Sequence, residues 1–291
     1  MATEKEVWST AISNVTSIFE RSGISEAKSN AEYLAMYILG VWDKARLRSF
    51  LDQEISKADR ARYEEIVERR LKHEPLQHII GETEFFGLRL FTSSAALIPR
   101  PDTEIVVEES LKEASQFDRR DLKILDVGTG SGAIALALAS RLPGASVTGI
   151  DISSDAIALA EKNLKRLNLS NVSFEVGDIF DDDYINTFSS SIDMLISNPP
   201  YISTQEFQTL DTEVRSFDPR IALTDESDGL SFYRRIAEDA RKVLKEDGKI
   251  IVEIGFGSAA TVEKIFTAAG WSQRRVVKDL QGIERVMVIG T

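Results

Sequence analysis

The sequence predicts an α/β protein: a doubly wound, mostly parallel seven-stranded sheet, preceded by a small all-α domain and a β-hairpin linker. Three observations predict it. Residues 1–75 carry apolar side chains at helical spacing only. Residues 76–101 change to short aromatic and apolar clusters broken by glycines (IIGETEFFGLRLF). After Pro101, strand-like and helix-like segments alternate to the end, as a parallel sheet with crossover helices requires. The expected domains are therefore 1–75, 76–101 and 102–291.

In the first domain, Val7, Trp8, Ile12, Val15, Ile18 and Phe19 recur at helical spacing, and Gly23 ends the segment. A second helix is expected from Ser25, with Ala31, Leu34, Ala35, Ile38 and Leu39 inward, ending at Gly40. A third starts near Ser56, where Ser56 and Asp59 form a capping-box pattern, and turns Tyr63, Ile66, Val67 and Leu71 inward. Strands are expected at Lys123–Val127, Ser146–Asp151, Val172–Val176, Ile192–Ser197, Gly248–Ile254, Gln273–Val277 and Arg285–Ile289.

Composition narrows the chemistry. The 291 residues are 43% hydrophobic and 28% charged, as in an ordinary soluble globular protein. No apolar run approaches the roughly 18 residues of a membrane span, and the N-terminus (MATEKEVWST) has no signal-peptide core, so a cytoplasmic location is expected. With no cysteine, disulfides and thiolate nucleophiles are excluded. The two histidines, His73 and His78, are five residues apart and lack a carboxylate cluster, so no metal is expected. Net charge is −12, with 12 Lys/Arg against 13 Asp/Glu in residues 1–80 and 23 against 34 beyond. Nucleic-acid backbones are held by basic stripes, and none is visible, so no direct nucleic-acid contact is expected.

The segment Asp126-Val127-Gly128-Thr129-Gly130-Ser131-Gly132-Ala133 follows an apolar strand and opens an Ala/Leu-rich helix. Glycines let such a loop turn sharply against a ligand, and free amides at a helix start attract negative groups. The loop also satisfies the G-x-G-x-x-G/A pattern of dinucleotide folds, with Asp151 at the end of the next strand in the ribose position. Asp126 decides between the ligands. A carboxylate there would repel a pyrophosphate but suits the ammonium and sulfonium charges of S-adenosylmethionine.

Asn198-Pro199-Pro200-Tyr201 follows the fourth strand, at the carboxyl end of the sheet, where ligands of such folds bind. Two prolines fix φ and remove two N–H donors, leaving carbonyl acceptors; Asn198 adds a side-chain acceptor and Tyr201 a flat face. The segment reads as a socket for a planar NH2 group. An amide nitrogen is a poor nucleophile because its lone pair is delocalised. Holding both its hydrogens on acceptors aims it, and positioning of this kind can contribute roughly 7 to 11 kcal/mol.

The D-x-G-x-G-x-G loop resembles the first motif of class I methyltransferases. The resemblance implies a Rossmann-like domain in which Asp126, Gly128, Thr129, Gly130, Ser131 and Gly132 hold the methionine part of S-adenosylmethionine. It further implies Asp151 with Ile152 on the ribose, Asp178 with Ile179 on the adenine, and Asn198 beside the methyl group. Asn-Pro-Pro-Tyr is shared by methyltransferases acting on glutamine amides, adenine N6 and guanine N2. Leu97-Ile98-Pro99-Arg100-Pro101-Asp102-Thr103-Glu104, with Pro75–Gly81, Phe85-Phe86-Gly87, Asp218–Leu223, Asp228-Gly229-Leu230, Phe232-Tyr233, Glu253-Ile254-Gly255 and Asp279–Val286, resembles the release-factor glutamine N5-methyltransferases, the PrmC/HemK family.

By that resemblance the substrate is the glutamine of the Gly-Gly-Gln motif of peptide chain release factors, which the helical domain and hairpin embrace. Asn198 and the Pro199 carbonyl grip its amide while Pro200 and Tyr201 complete the socket, in an enzyme expected to be monomeric. Two departures stand out: Asp102 where the family has Glu, and Ile179 where an aromatic residue often lies on adenine. Arg100 is open to two readings, closing the cofactor pocket or a surface salt bridge. The alternatives are methylation of an exocyclic base amine in nucleic acid and a non-catalytic cofactor-binding scaffold.

Overall fold

Two hydrophobic periods build the cores: helical spacing buries one cluster in the first unit, and alternate residues of the strands feed two large clusters in the second. The computed structural model describes residues 6–290, so the first five residues of the charged N-terminal segment lie outside the described residues. The chain divides into two compact units, Met1–Gly81 and Glu82–Thr291.

The first unit contains α1 (Trp8–Arg21), α2 (Ala27–Leu39), α3 (Lys44–Arg48), α4 (Lys57–Leu71) and α5 (Leu76–Ile80). Trp8, Phe19, Leu34, Tyr63 and Ile66 are buried together in its core. The Trp8 and Tyr63 rings meet edge to face with centroids 5.5 Å apart. The Tyr63 hydroxyl donates to the Ala31 carbonyl at 3.0 Å, so the buried polar end of that ring is satisfied. Helix α2 starts two residues later than expected, because Glu26 adopts a left-handed φ of 49°. At α4 the Ser56 hydroxyl accepts from the Asp59 amide at 3.0 Å. It also donates to the Asp59 carboxylate at 2.8 Å, which leaves only half of the anticipated capping box.

Helices α3 and α5 escape sequence periodicity because each has only five residues. Residues 76–80, expected to belong to the hairpin linker, are thus helical: Pro75 presets the first turn and Gly81, at φ 78°, ends it.

The second unit opens with the hairpin β1 (Glu82–Phe85) and β2 (Leu88–Phe91), turned at Phe86-Gly87. There follow α6 (Glu104–Ala114), β3 (Lys123–Val127), α7 (Ala133–Arg141), β4 (Ser146–Asp151), α8 (Ser154–Leu167), β5 (Val172–Val176) and α9 (Asp182–Asn186). Next come β6 (Ile192–Ser197), α10 (Thr204–Phe207), α11 (Thr212–Phe217), α12 (Ser231–Val243), β7 (Leu244–Glu253), α13 (Ala259–Ala268), β8 (Gln273–Lys278) and β9 (Glu284–Gly290). All seven expected strands are present to within a few residues. They form one sheet in the order β5-β4-β3-β6-β7-β9-β8. Only β9 runs antiparallel to its neighbours β7 and β8. Strand β6 is buried along its whole length, as a strand covered on both faces must be.

Order reverses at β3, which has β4 on one side and β6 on the other. Such a switch point opens a crevice at the carboxyl ends of the strands. The register aligns those ends, since Val127 pairs with both Ile150 and Ser197. The glycine loop, Asp151 and Asn198 therefore leave the sheet at one level. Among the described residues no helix is long and apolar enough to cross a membrane.

Asn163 of α8, fully buried, ties the hairpin to this crevice. Its Oδ1 accepts from the Phe91 amide at 2.7 Å, while Nδ2 donates to the carbonyls of Phe91 at 3.2 Å and Ser131 at 3.0 Å. Removing it orphans part-buried backbone groups of Phe91 and the buried Ser131 carbonyl at once, and an orphaned buried group costs about 1–3 kcal/mol. For Asn163→Ala we expect a loss of roughly 3 kcal/mol in urea unfolding at unchanged m-value. A loss below about 0.5 kcal/mol would mean that the tie carries no stability.

Candidate active site

A cavity of about 220 Å³ lies at the crevice. Gly128, Thr129, Gly130 and Ser131 line it from the loop after β3, Asp151 and Ile152 from the end of β4, Asp178 and Ile179 from beyond β5, and Asn198 and Pro200 from beyond β6. Ten of the expected site residues are thus brought together from four strand ends. Asp126, Gly132, Pro199 and Tyr201 are not among the lining residues.

The loop does not offer the row of free amides anticipated for it. The Gly128 and Thr129 amides both donate to the Ile150 carbonyl at 2.9 Å, and that of Gly132 donates to Thr129 at 2.9 Å. The Gly130 amide donates to Asp151 Oδ2, also at 2.9 Å. Four amides that a pyrophosphate would need are spent inside the protein, an independent argument against a dinucleotide. Gly132 is needed for packing, since at φ 81° a Cβ there would stand 2.7 Å from the Phe174 ring. Its bare backbone lets α7 start flush against the core.

Asp126 lies beneath the loop, fully buried, where its Oδ2 accepts from the Thr129 hydroxyl at 2.6 Å. The carboxylate braces the loop from below and is not among the residues that line the cavity. Burial pushes its carboxyl up to about 7, against the Thr129 hydroxyl and the Ala135 amide, and the neighbouring Asp151 adds to the rise. Asp151 is also raised by burial, opposed by the Ser153 and Gly130 amides. It accepts from these two at 2.9 Å each, one on each oxygen, which aims the carboxylate along the cavity wall.

Beyond β5, Asp178 Oδ1 accepts from the Phe180 amide at 2.8 Å. The apolar wall that Ile179 begins does not stay aliphatic. Phe180 and Phe232 also line the cavity and meet edge to face at 5.0 Å. No local signal marks either for the site: Phe180 follows the expected pair, and Phe232 comes from α12, far along the chain. The same holds for Ala95, Ala96, Leu97, Pro99 and Thr103 and for Pro219, Ile221 and Ala222, which line the cavity from segments marked in the sequence only by family resemblance or not at all. Arg100 lines the cavity, and its guanidinium donates to Asp218 at 2.7 Å, a buried partner and not a surface one. The shortened Asp102 still reaches a partner, Arg285, at 2.9 Å.

The Asn-Pro-Pro-Tyr segment is rigid and well supported. Its Tyr201 ring packs on Gly255, where a Cβ would come within 3.0 Å of it, and its carbonyl lies against Gly229. The Tyr201 hydroxyl donates to Glu253 Oε1 at 3.2 Å. The expected flat face is therefore reduced to the half-buried remainder of the ring. Glu253, nearly fully buried, also accepts from the Thr103 hydroxyl at 2.7 Å. Burial pushes its carboxyl up to about 7, against the Thr103 and Tyr201 hydroxyls and Arg285, with Asp102 adding to the rise. Asn198 Nδ2 donates to Thr103 Oγ1 at 3.2 Å.

Comparison with known proteins agrees with this geometry. Residues 118–268 match the model of a methyltransferase domain, and residues 10–81 that of the PrmC N-terminal domain. A release factor glutamine methyltransferase of Thermodesulfovibrio yellowstonii is 40% identical over 260 residues, 89% of this chain and 91% of the relative. Its counterpart from Geobacter sulfurreducens is 40% identical over 265 residues, 91% and 90% of the two chains. The chain belongs to the release factor glutamine methyltransferase family. A methyltransferase structure from Pyrococcus furiosus, 18% identical with a TM-score of 0.51, covers 70% of this chain and 89% of its own, and shares the fold.

The buried Asp126 makes a pH-dependent contribution to the stability of this family member. An unfolded aspartate ionises near about 4, whereas the folded carboxyl holds its proton to about 7. The folded form binds the extra proton between these values, so the contribution is full below the unfolded pKa and is lost as pH rises through the folded one. Relative to Asp126→Asn, the parent should lose unfolding free energy between about pH 4 and 7 and no more above about pH 8. A stability difference independent of pH in chemical denaturation would contradict the raised carboxyl.

Proposed function

We propose that this chain transfers the methyl group of S-adenosylmethionine to the side-chain amide nitrogen, N5, of the glutamine in the Gly-Gly-Gln motif of peptide chain release factors. The observation that carries the reading is Asn198, held at the cavity edge on a strand end within a donor-poor Asn-Pro-Pro-Tyr segment, in a chain of this family.

The cavity chemistry suits the cofactor. Asp151, with Ile152 beside it, would take the ribose hydroxyls, and Asp178 with Ile179, Phe180 and Phe232 the adenine. Gly128 to Ser131 would lie along the methionine part. Asp126 beneath the loop would be drawn to ionise by a nearby cation, which makes it a long-range rather than a contacting partner. S-adenosylmethionine, when bound, supplies a methyl carbon bonded to a sulfonium that keeps the bonding pair as the methyl departs.

The chain's own residues do the rest by position. Asn198 Oδ1 and the Pro199 carbonyl would accept the two amide hydrogens, and these bonds strengthen as positive charge grows on nitrogen. Pro200 and the accessible part of the Tyr201 ring would confine the amide plane. The nitrogen sheds its surplus proton after the C–N bond forms, and since an N-protonated amide is a very strong acid, no dedicated base is required. The chain's acidic balance supports a protein over a nucleic-acid acceptor. The two domains, 1–75 and 102–291 with the 76–101 segment between them, would divide the labour of holding the factor and performing the transfer, in a cytoplasmic monomer.

Mass spectrometry of a release factor incubated with enzyme and cofactor should show a single added methyl on the Gly-Gly-Gln glutamine. Asn198→Ala should lower kcat by about 10²-fold or more while cofactor affinity changes little. Label from tritiated cofactor entering nucleic acid alone, or an undiminished rate in the alanine variant, would defeat the reading.

A further inference from the structure

The Asn198 side chain can present either its oxygen or its NH2 group to an incoming amide, and only the oxygen can hold a hydrogen of the substrate. The choice is made behind it. Thr103, which is 5% exposed, stands between Asn198 and Glu253 and owns a single hydroxyl hydrogen. With Glu253 ionised its oxygens can only accept, and that hydrogen then goes to Oε2 at 2.7 Å, the shorter of the two contacts. Only lone pairs of Thr103 Oγ1 are then left for Asn198, so the nearer atom of the asparagine amide must be its donor, Nδ2, at 3.2 Å. A rotated amide would set the Asn198 oxygen against the acceptor lone pairs of the buried Thr103 hydroxyl. The second carboxylate oxygen of Glu253 takes the Tyr201 hydroxyl at 3.2 Å, so one buried acceptor anchors both ends of the Asn-Pro-Pro-Tyr segment.

We infer that Thr103 and Glu253 are positioning residues of the transfer reaction: they form a one-way hydrogen-bond relay that locks the Asn198 amide with Oδ1 toward the substrate. The inference rests on the function proposed above, yet it concerns the free protein and is testable there. Thr103 comes from the Pro101–Thr103 turn before α6 and Glu253 from the end of β7, so their sequence separation of 150 hides the relay from any local motif.

Thr103→Val keeps the shape of the side chain and removes the hydroxyl, while Thr103→Ser keeps the hydroxyl. With a Gly-Gly-Gln-containing release factor as acceptor, we expect the valine variant to lose about tenfold or more in kcat. Its cofactor affinity by calorimetry should stay within about threefold, and serine should restore most of the rate. In 15N-labelled enzyme without cofactor or substrate, the Asn198 side-chain NH2 pair, assigned by its absence in Asn198→Ala, should be protected from exchange in parent and serine proteins and exposed in the valine protein. Equal rates and equal protection in parent and valine proteins would overturn the relay, as would a serine variant as impaired as valine. If the valine protein does not fold, Glu253→Gln takes its place: its amide retains one acceptor oxygen for two incoming hydroxyls, so kcat and Asn198 protection should fall together, and neither falling would overturn the relay. A parent enzyme that folds, shows a protected Asn198 and leaves the glutamine unmodified would instead refute the function while leaving the relay intact.

Discussion

Everything in the catalytic unit depends on the register of three parallel strands. Strand β3 pairs with β4 and β6 such that Val127 lies level with Ile150 and Ser197. The residues that follow each of these are the glycine loop, Asp151 and Asn198. A one-residue slip in either pair would exchange the side chains of the strand's two packed faces and displace a group at its end by roughly 3 Å. The fully buried strand β6 makes such a slip costly. Hydrophobic registration of the sheet thus decides which residues meet at the crevice.

Buried carboxylates divide into two classes by the charge of their partners. Asp193 is fully buried, and burial alone would raise its pKa, but the Lys123 amide, Lys245 and Arg119 outweigh it and hold the group below the usual range. It is a compensated structural anion. Asp126 and Glu253 are as deeply buried but hydrogen-bonded to hydroxyls, and burial wins in both. Uncompensated burial costs stability, and proteins retain such groups where a site uses them. Here the two flank the crevice, Asp126 beneath the glycine loop and Glu253 behind the Asn-Pro-Pro-Tyr segment.

Buried hydrogen bonding also lets the hairpin serve a site it does not enter. Asn163 carries hydrogen bonds from β2 to α8 and on to the Ser131 carbonyl in the glycine loop. Buried and fully engaged, it couples the placement of the segment leading to Ala95, Ala96 and Leu97, which line the cavity, to the glycine loop beside it, where a Cβ on Gly130 would lie 3.7 Å from Ala96. Arg100 and Asp218 make an equivalent tie across the cavity mouth, joining that segment to the one containing Pro219 and Ile221.

Much of this protein is legible locally. Strand positions follow from apolar runs, helix ends from Gly23, Gly40 and Ser56, and the crevice from a glycine loop after one strand and Asn-Pro-Pro-Tyr after another. These signals are legible because each depends on residues within a few positions of one another. Helices α3 and α5 are not, because one turn and a half carries too few residues to show a period. The motif marks the position of Asp126 on its strand but not the face to which the side chain turns, which the structure shows to be beneath the loop, on the Thr129 hydroxyl. The Phe180–Phe232 wall, the Arg100–Asp218 tie and the Thr103–Glu253 relay join residues between 52 and 150 positions apart. The sequence alone therefore determined the fold class and the positions of the glycine loop and of Asn-Pro-Pro-Tyr at strand ends, because backbone conformation and side-chain chemistry are short-range properties. Only the tertiary structure decided which buried acceptor orients Asn198, because the direction of a hydrogen bond is set by what stands on the far side of it.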